Sequence, residues 1–289
     1  MVEDLGSVIK KGFDTWKANL CICLPFLFSS IITAIVALII MGSAILAAVP
    51  SLPSLIPYIS QPDGIPPELI RPLMSQLNQS IGLIMAAVII AVVLGLLINA
   101  FFSAGAIGMA KEATETGRTS LSDMKGYGKR KFISLLFADI IVALIALIGF
   151  VFLIPGIVYA LPIITTSSEP APNAILLATI MLGLLCMFIY MLIVTILFAL
   201  TRYSVVIDDL GAIEAVKNGF NMFMKNKLDV FLLWLVALVI AIVVSIILSV
   251  IPYIGPFLNI VVSVIVIQPL IVIWWSRFYL SILKPAGDL

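Results

Sequence analysis

Several stretches of this chain carry no charge for longer than a lipid bilayer is thick, among them those from Lys17 to Asp63, Arg71 to Lys111, Glu169 to Arg202, and Asp229 to Arg277. A helix needs about 20 mainly apolar residues to cross the hydrocarbon core. A soluble fold of this sequence would expose apolar patches it could not cover. Hydrophobic residues make up 63% of the chain and charged residues 11%, against about 45–50% and 25% in soluble domains. The expectation is an all-α integral membrane protein.

Read as membrane helices, the apolar blocks resolve into six spans, near 20–49, 80–110, 132–162, 174–201, 229–250 and 257–276. A proline-rich loop that starts at Pro50 separates the first two. The third is interrupted by Ile154-Pro155-Gly156, which requires neighbouring groups to satisfy the freed backbone. The short turn IPYIGP makes the last two an antiparallel hairpin. Gln268-Pro269 is expected to kink the sixth span.

Six crossings place fifteen of the sixteen basic residues on one side, with only Arg71 opposite. By the positive-inside rule that side is cytoplasmic. Both termini are then expected in the cytoplasm of a multi-pass protein of the cell membrane. The N-terminus is not read as a cleavable signal, because its apolar run is too long and its lead-in is amphipathic.

That lead-in returns late in the chain. Residues 8–20 read VIKKGFDTWKANL and residues 215–227 read AVKNGFNMFMKNK. Lys10, Gly12, Phe13 and Asn19 align with Lys217, Gly219, Phe220 and Asn226, and Trp16 with Phe223. Leu5, Val8, Ile9, Phe13 and Trp16 share one helical face, opposite Lys10, Lys11, Asp14 and Lys17. Leu210, Ile213, Val216, Phe220 and Phe223 repeat the pattern, with Asp208 or Asp209 placed to cap. A shorter version starts at Ser120, where Ser-Leu-Ser-Asp forms a capping box. Such helices suit the headgroup boundary, with Phe13, Trp16, Phe220 and Phe223 as anchors and Lys10, Lys11, Lys17, Lys217 and Lys225 towards lipid phosphates. Asn19 and Asn226 stand where each helix turns into a span, in the left-handed cap conformation that Asn tolerates. Interfacial helices are therefore expected before spans one, three and five. They imply three parallel repeat units, about 1–110, 118–201 and 207–280.

The stretches GRTSLSDMKGYGKRKFISLL, LIPGIVYALPI and RYSVVIDDLGAIEAVKNGFNMFMKNKLDVFLL resemble a broad, poorly characterised group of polytopic membrane proteins in archaea and bacteria. That group is similar to the membrane domain attached to some glycerophosphodiester phosphodiesterases. The enzyme's catalytic barrel, with its histidines and metal-binding acids, has no counterpart here. The resemblance implies membrane topology and carries no activity.

The chain has no histidine, which removes the usual general base, most triads and most transition-metal sites. Catalysis would fall to carboxylates, serines or tyrosines. Cys21, Cys23 and Cys186 suit packed or lipid-facing helices; a metal or palmitoyl site at Cys21 and Cys23 is the alternative. Asp139 is the acid that falls within a span, where an ionisable group points to function. Pairing with Lys131 or Arg130 is the structural alternative. Asn99 and Gln268 are further polar candidates, alongside Ser103, Tyr190, Thr195, Asn259 and Ser263, which more often join helices. Gly105 and Gly108 allow close packing at the end of span two. Asn78-Gln79-Ser80 is a glycosylation sequon.

The expectation is a single polytopic domain without cofactor, metal or nucleic-acid partner. Its function is expected to be that of a non-enzymatic accessory or scaffold protein, associated with membrane lipid, a membrane-protein partner or further copies of itself. The alternative is a small transporter or channel that uses Asp139.

Overall fold

The computed structural model describes residues 3–55, 58, 66–159 and 174–284, and the described residues contain only helices and turns. Helix α1 (Leu5–Ala18) starts at Asp4, whose carboxylate accepts from the backbone N–H groups of Gly6 and Ser7 at 3.0 and 3.3 Å. A 3₁₀ turn leads into α2 (Leu24–Ala48). Then follow α3 (Pro67–Gln79), α4 (Ile81–Thr116), α5 (Leu121–Leu147), α6 (Ala174–Leu197) and the short α7 (Thr201–Val206). The chain ends in α8 (Ala212–Lys225), α9 (Lys227–Ser249), α10 (Gly255–Val262) and α11 (Gln268–Leu283). Six helical stretches are long and apolar enough to cross a membrane: Leu20–Ala48, Ile81–Thr116, Leu121–Tyr159, Ile175–Val206, Lys227–Ser249 and Gly255–Leu283. They correspond to the six expected spans and, by length and composition, suggest a multi-pass membrane protein.

The buried core lies at the end of the bundle that carries the basic residues. Met109 of α4, Leu135 of α5, Leu200 and Val205 at α7, and Phe278 and Tyr279 of α11 are all fully buried. Towards the opposite end, large aliphatic residues such as Leu38, Ile89 and Ile246 face outward. Glycines set the approach at the packed end. A Cβ on Gly108 would lie 2.2 Å from the Tyr127 ring, and one on Gly105 2.9 Å from the Met124 carbonyl oxygen. The antiparallel pair α4–α5 therefore touches backbone to side chain, as the Gly105-Gly108 spacing implied. Gly117, at φ 78°, ends α4 in the left-handed region. The Asp123 carboxylate accepts from the Ser120 backbone N–H at 2.8 Å to start α5.

The twice-used Gly-Phe pair now has a physical reason. A Cβ on Gly12 would strike Trp274 at 2.4 Å, and one on Gly219 would strike the Thr201 backbone nitrogen at 2.8 Å. Helix α1 thus seats on α11, with the Trp274 indole donating to the Ile9 carbonyl at 3.2 Å, and α8 seats on α7. Asn19 and Asn226 share nearly the same backbone, φ −133° and −128°. Neither is left-handed. Asn19 instead spans a gap with its side chain, donating to the Gly117 carbonyl and accepting from the Thr119 N–H, each at 3.1 Å.

Other expectations are corrected. The lead-in at Ser120 is no separate helix, because nothing in it breaks the run into α5. Asp208 and Asp209 do not cap α8: its N-cap is Gly211, without a side-chain bond. The third span departs from α geometry before Ile154, as a 3₁₀ stretch over Ile148–Leu153, and helix resumes over 154–159. There Tyr190 donates to the Ile145 carbonyl at 2.9 Å. The proline-rich connection contains α3, which opens on Pro67, where the missing N–H costs nothing. Asn78 lies exposed on that helix. The expected end of the third span at Pro162 and part of the proline-rich loop lie outside the described residues.

Ends of the chain are joined by charge. Arg277 donates to both carboxylate oxygens of Glu3 at 2.8 and 3.1 Å, and both side chains are buried. Lys11 and Ser7 each reach Glu3 at 2.8 Å. Burial would raise the Glu3 pKa, but the hydrogen bonds from Arg277, Lys11 and Ser7 outweigh it and hold the carboxyl at about 2.

Two outcomes are expected in thermal unfolding of the detergent-solubilised protein. Gly108→Leu should lower stability by at least the upper part of the about 1–3 kcal/mol typical of overpacking, whereas Gly82→Leu, with open space at its Cβ, should change it little. The Glu3 contribution is fully present above the ordinary carboxyl value of 4.5 and is lost as pH falls from there towards about 2. The midpoint should therefore drop more steeply across that window in the wild type than in Glu3→Gln.

Candidate functional site: a polar cavity among the spans

Among helices built almost wholly of apolar residues, polar side chains on α2, α4 and α11 converge. Ser29, Ser30 and Thr33 share one face of α2, and Asn99 and Ser103, four apart, share one face of α4. The Ser103 hydroxyl lies 2.7 Å from the Asn99 amide oxygen. With Gln268 and Arg202 these residues line a cavity of about 600 Å³, walled elsewhere by Phe26, Phe102, Ile271 and Val272. A second cavity of about 410 Å³ shares Ser30 and Gln268 and adds Ser245, Asn259 and Ser263. Polar side chains thus run from Arg202 at the basic end, past Gln268, to Asn259 near the α9–α10 turn.

Gln268 owes its place to a backbone defect. Residues Ser263–Ile267 form a π-helical turn directly before Gln268-Pro269. Pro269 has no N–H to continue the ladder and its ring crowds the carbonyl four residues back, so the helix widens there. Where a kink was expected at Gln268-Pro269, the structure shows this π-helical turn, and the Gln268 amide donates to Ser263 Oγ at 3.3 Å.

Asp139 is not bound to Lys131 or Arg130. Its carboxylate accepts from Arg202 Nε at 2.8 Å, which links α5 to α7. Lys131 is buried and pairs with Asp209 instead. The chain turns back after α7 and brings Arg202 and Asp209 to α5, whereas the sequence spacing pointed to neighbours on the same helix. Asp139 is absent from the lining of both cavities; Arg202 is the charged residue of the first, and the second has none.

The amphipathic segments are partly covered by protein. Trp16, Phe220 and Phe223 are half-buried, with Phe220 6.1 Å from the Phe198 ring. Phe13 stays exposed, stacked on Trp16 and capped by the Lys17 ammonium at 4.4 Å. Lys10, Lys11, Lys217 and Lys225 are exposed.

One cluster went unseen in the sequence. The buried Tyr279 hydroxyl donates to Asp208 and lies 3.0 Å from Ser204 Oγ, and Asn218 donates to all three side chains within 3.3 Å. The four residues come from α7, the turn after it, α8 and α11, and no spacing in the sequence unites them. Their bonds are directed at one another, so the cluster is a staple for the packed end.

A curated relative, an uncharacterized protein of Archaeoglobus fulgidus, is 24% identical over 238 residues, covering 82% of this chain and 79% of that protein. No solved structure matches the chain. Neither that relative nor the matching family bears a phosphodiesterase name. With residues 31–278 matched, most of its length, the chain belongs to the family described as Domain of unknown function (DUF7847).

Proposed function

We propose that this is a non-enzymatic, multi-pass protein of the cell membrane that associates with lipid through its polar cavity. Both termini are cytoplasmic in this reading, and α1 and α8 lie at headgroup level on that side. One observation carries the proposal: hydroxyl, amide and guanidinium groups gather within spans that are otherwise apolar, next to side chains open to the bundle surface. Ser30 and Asn99 are both exposed, so the cavity is reachable sideways, from where lipid would lie. Polar groups held in a bilayer are costly unless they meet a partner. The exposed Lys10, Lys11, Lys17, Lys217 and Lys225 add attraction to anionic lipid, worth about 1 kcal/mol each near the surface. Close seating of α1 and α8 on the bundle gives this collar a fixed position. The similar backbone at Asn19 and Asn226 supports repeat units 1–110 and 207–280.

A second reading, a small transporter or channel, is favoured by the two cavities meeting at Ser30 and Gln268. Asp139 is less apt as its proton carrier, because the carboxylate is engaged by Arg202. Two measurements test the pair of readings. Protein extracted with its surrounding lipid and then exchanged into detergent should retain at least one lipid class several-fold above its bulk share. Ser30→Leu, which fills the cavity, should abolish that enrichment; no enrichment in the wild type sinks the lipid reading. In liposomes loaded with an ion and solute panel, Asp139→Asn and wild type should both be silent. A flux that Asp139→Asn removes would establish the transporter instead.

A further inference from the structure

We propose that Arg202 and the neutral donors beside it form a binding site for a phosphate oxyanion, which the sideways access of the cavity presents as a phospholipid headgroup. This deepens the lipid reading and rests on it for the source of the phosphate.

Charge and hydrogen-bond inventory give the chemical class. Arg202 is the charged residue of the lining, and no Asp or Glu lines either cavity among the described residues. A cation would meet the arginine first, because the nearest carboxylate, Asp139, lies outside the lining and is already engaged by Arg202. An anion would meet a guanidinium with several free donors. Arg202 gives Nε to Asp139 at 2.8 Å, and its two terminal nitrogens make no bond to any described residue. Those nitrogens form the fork that binds phosphate oxygens in pairs. Asp139 holds the guanidinium from outside the cavity and is a positioning residue.

The hydroxyls point the same way. A serine or threonine within a helix commonly donates back to the carbonyl four residues earlier, as Thr15, Thr179 and Thr195 do here. Ser29, Ser30 and Thr33 make no such bond to described residues, and all three line the cavity. The Asn99 amide oxygen is occupied by Ser103, which leaves its NH₂ group as a donor. The site therefore offers one cation and several neutral donors, a set that matches a singly charged phosphodiester better than a sugar or a cation. Its volume of about 600 Å³ lies within the range of ligand pockets, roughly 300–1,000 Å³. Phe26, Phe102, Ile271 and Val272 supply apolar walls where a glycerol and the first methylenes would pass.

The test is titration calorimetry on the full-length protein in an uncharged detergent, with three probes: dihexanoyl phosphatidylglycerol, inorganic phosphate and dihexanoylglycerol. The phosphatidylglycerol should bind and dihexanoylglycerol should bind at least tenfold more weakly. Arg202→Gln should weaken the phosphatidylglycerol tenfold or more, and Arg202→Lys by less. Because Arg202→Gln leaves Asp139 without its partner, the double variant Asp139→Asn with Arg202→Gln and the cavity-filling Ser30→Leu serve as further variants. Both should lose binding while keeping the wild-type thermal midpoint within a few degrees. Inorganic phosphate bound in an Arg202-dependent way, with no phosphatidylglycerol binding, would uphold the anion site and overturn the lipid reading. Equal binding of phosphatidylglycerol and dihexanoylglycerol, indifferent to Arg202, would overturn the anion site and leave the lipid reading standing. No binding of either phosphate probe overturns the proposal.

Discussion

Helices side by side in lipid gain little from covering leucine with leucine, because the surrounding chains are as apolar as the protein. Cohesion must come from close approach and from polar contacts. In this protein both are concentrated at one end of the bundle. Gly105, Gly108 and Gly128 let α4 and α5 meet, and Gly12 and Gly219 let the amphipathic helices lie directly on α11 and α7. Dispersion attraction weakens steeply across even a gap of an ångström, so a single methyl group at these positions acts on the whole packed end.

Polar contacts reinforce the same place. The Glu3–Arg277 pair links the first described residues to the last helix, and the Tyr279–Asp208–Ser204–Asn218 cluster ties α7, α8 and α11. Breaking a buried ion pair by removing one partner costs about 3–5 kcal/mol, since the other charge is left without compensation. These bonds hold the basic end together, while the other end presents mostly outward-facing aliphatic residues. Helices fastened at one end can part further along, and the polar cavity occupies the space between α2, α4 and α11. Packing and candidate site are thus two consequences of one uneven distribution of small and polar residues.

The π turn before Gln268 and the Arg202–Asp139 pair show how the site is tuned. Proline at 269 costs the helix a hydrogen bond, and the widened turn it leaves carries the one glutamine of the sixth span into the cavity. Asp139 accepts from Arg202, so in the proposed reading the acid acts at one remove.

How much of this was legible in the sequence depended on range. Helix positions followed from uncharged runs, since the bilayer imposes a length and every backbone group must be satisfied within its own segment. The capping box at Ser120, the close-packing Gly105 and Gly108, and a helix irregularity at Gln268-Pro269 are also local and were readable. Asn99 and Gln268 were visible as polar exceptions in apolar blocks, but nothing in their spacing placed them in one cavity. Lys131 and Arg130 looked like partners for Asp139 because they were near in sequence; the actual partner, Arg202, lies on another helix. By itself the sequence determined the six apolar spans and the lead-in shared by residues 8–20 and 215–227, because each rests on periodicity and length. Only the tertiary structure decided that the lead-ins seat on the bundle, which charges pair and where a cavity remains, because those depend on helix crossings that residues far apart in the chain must settle together.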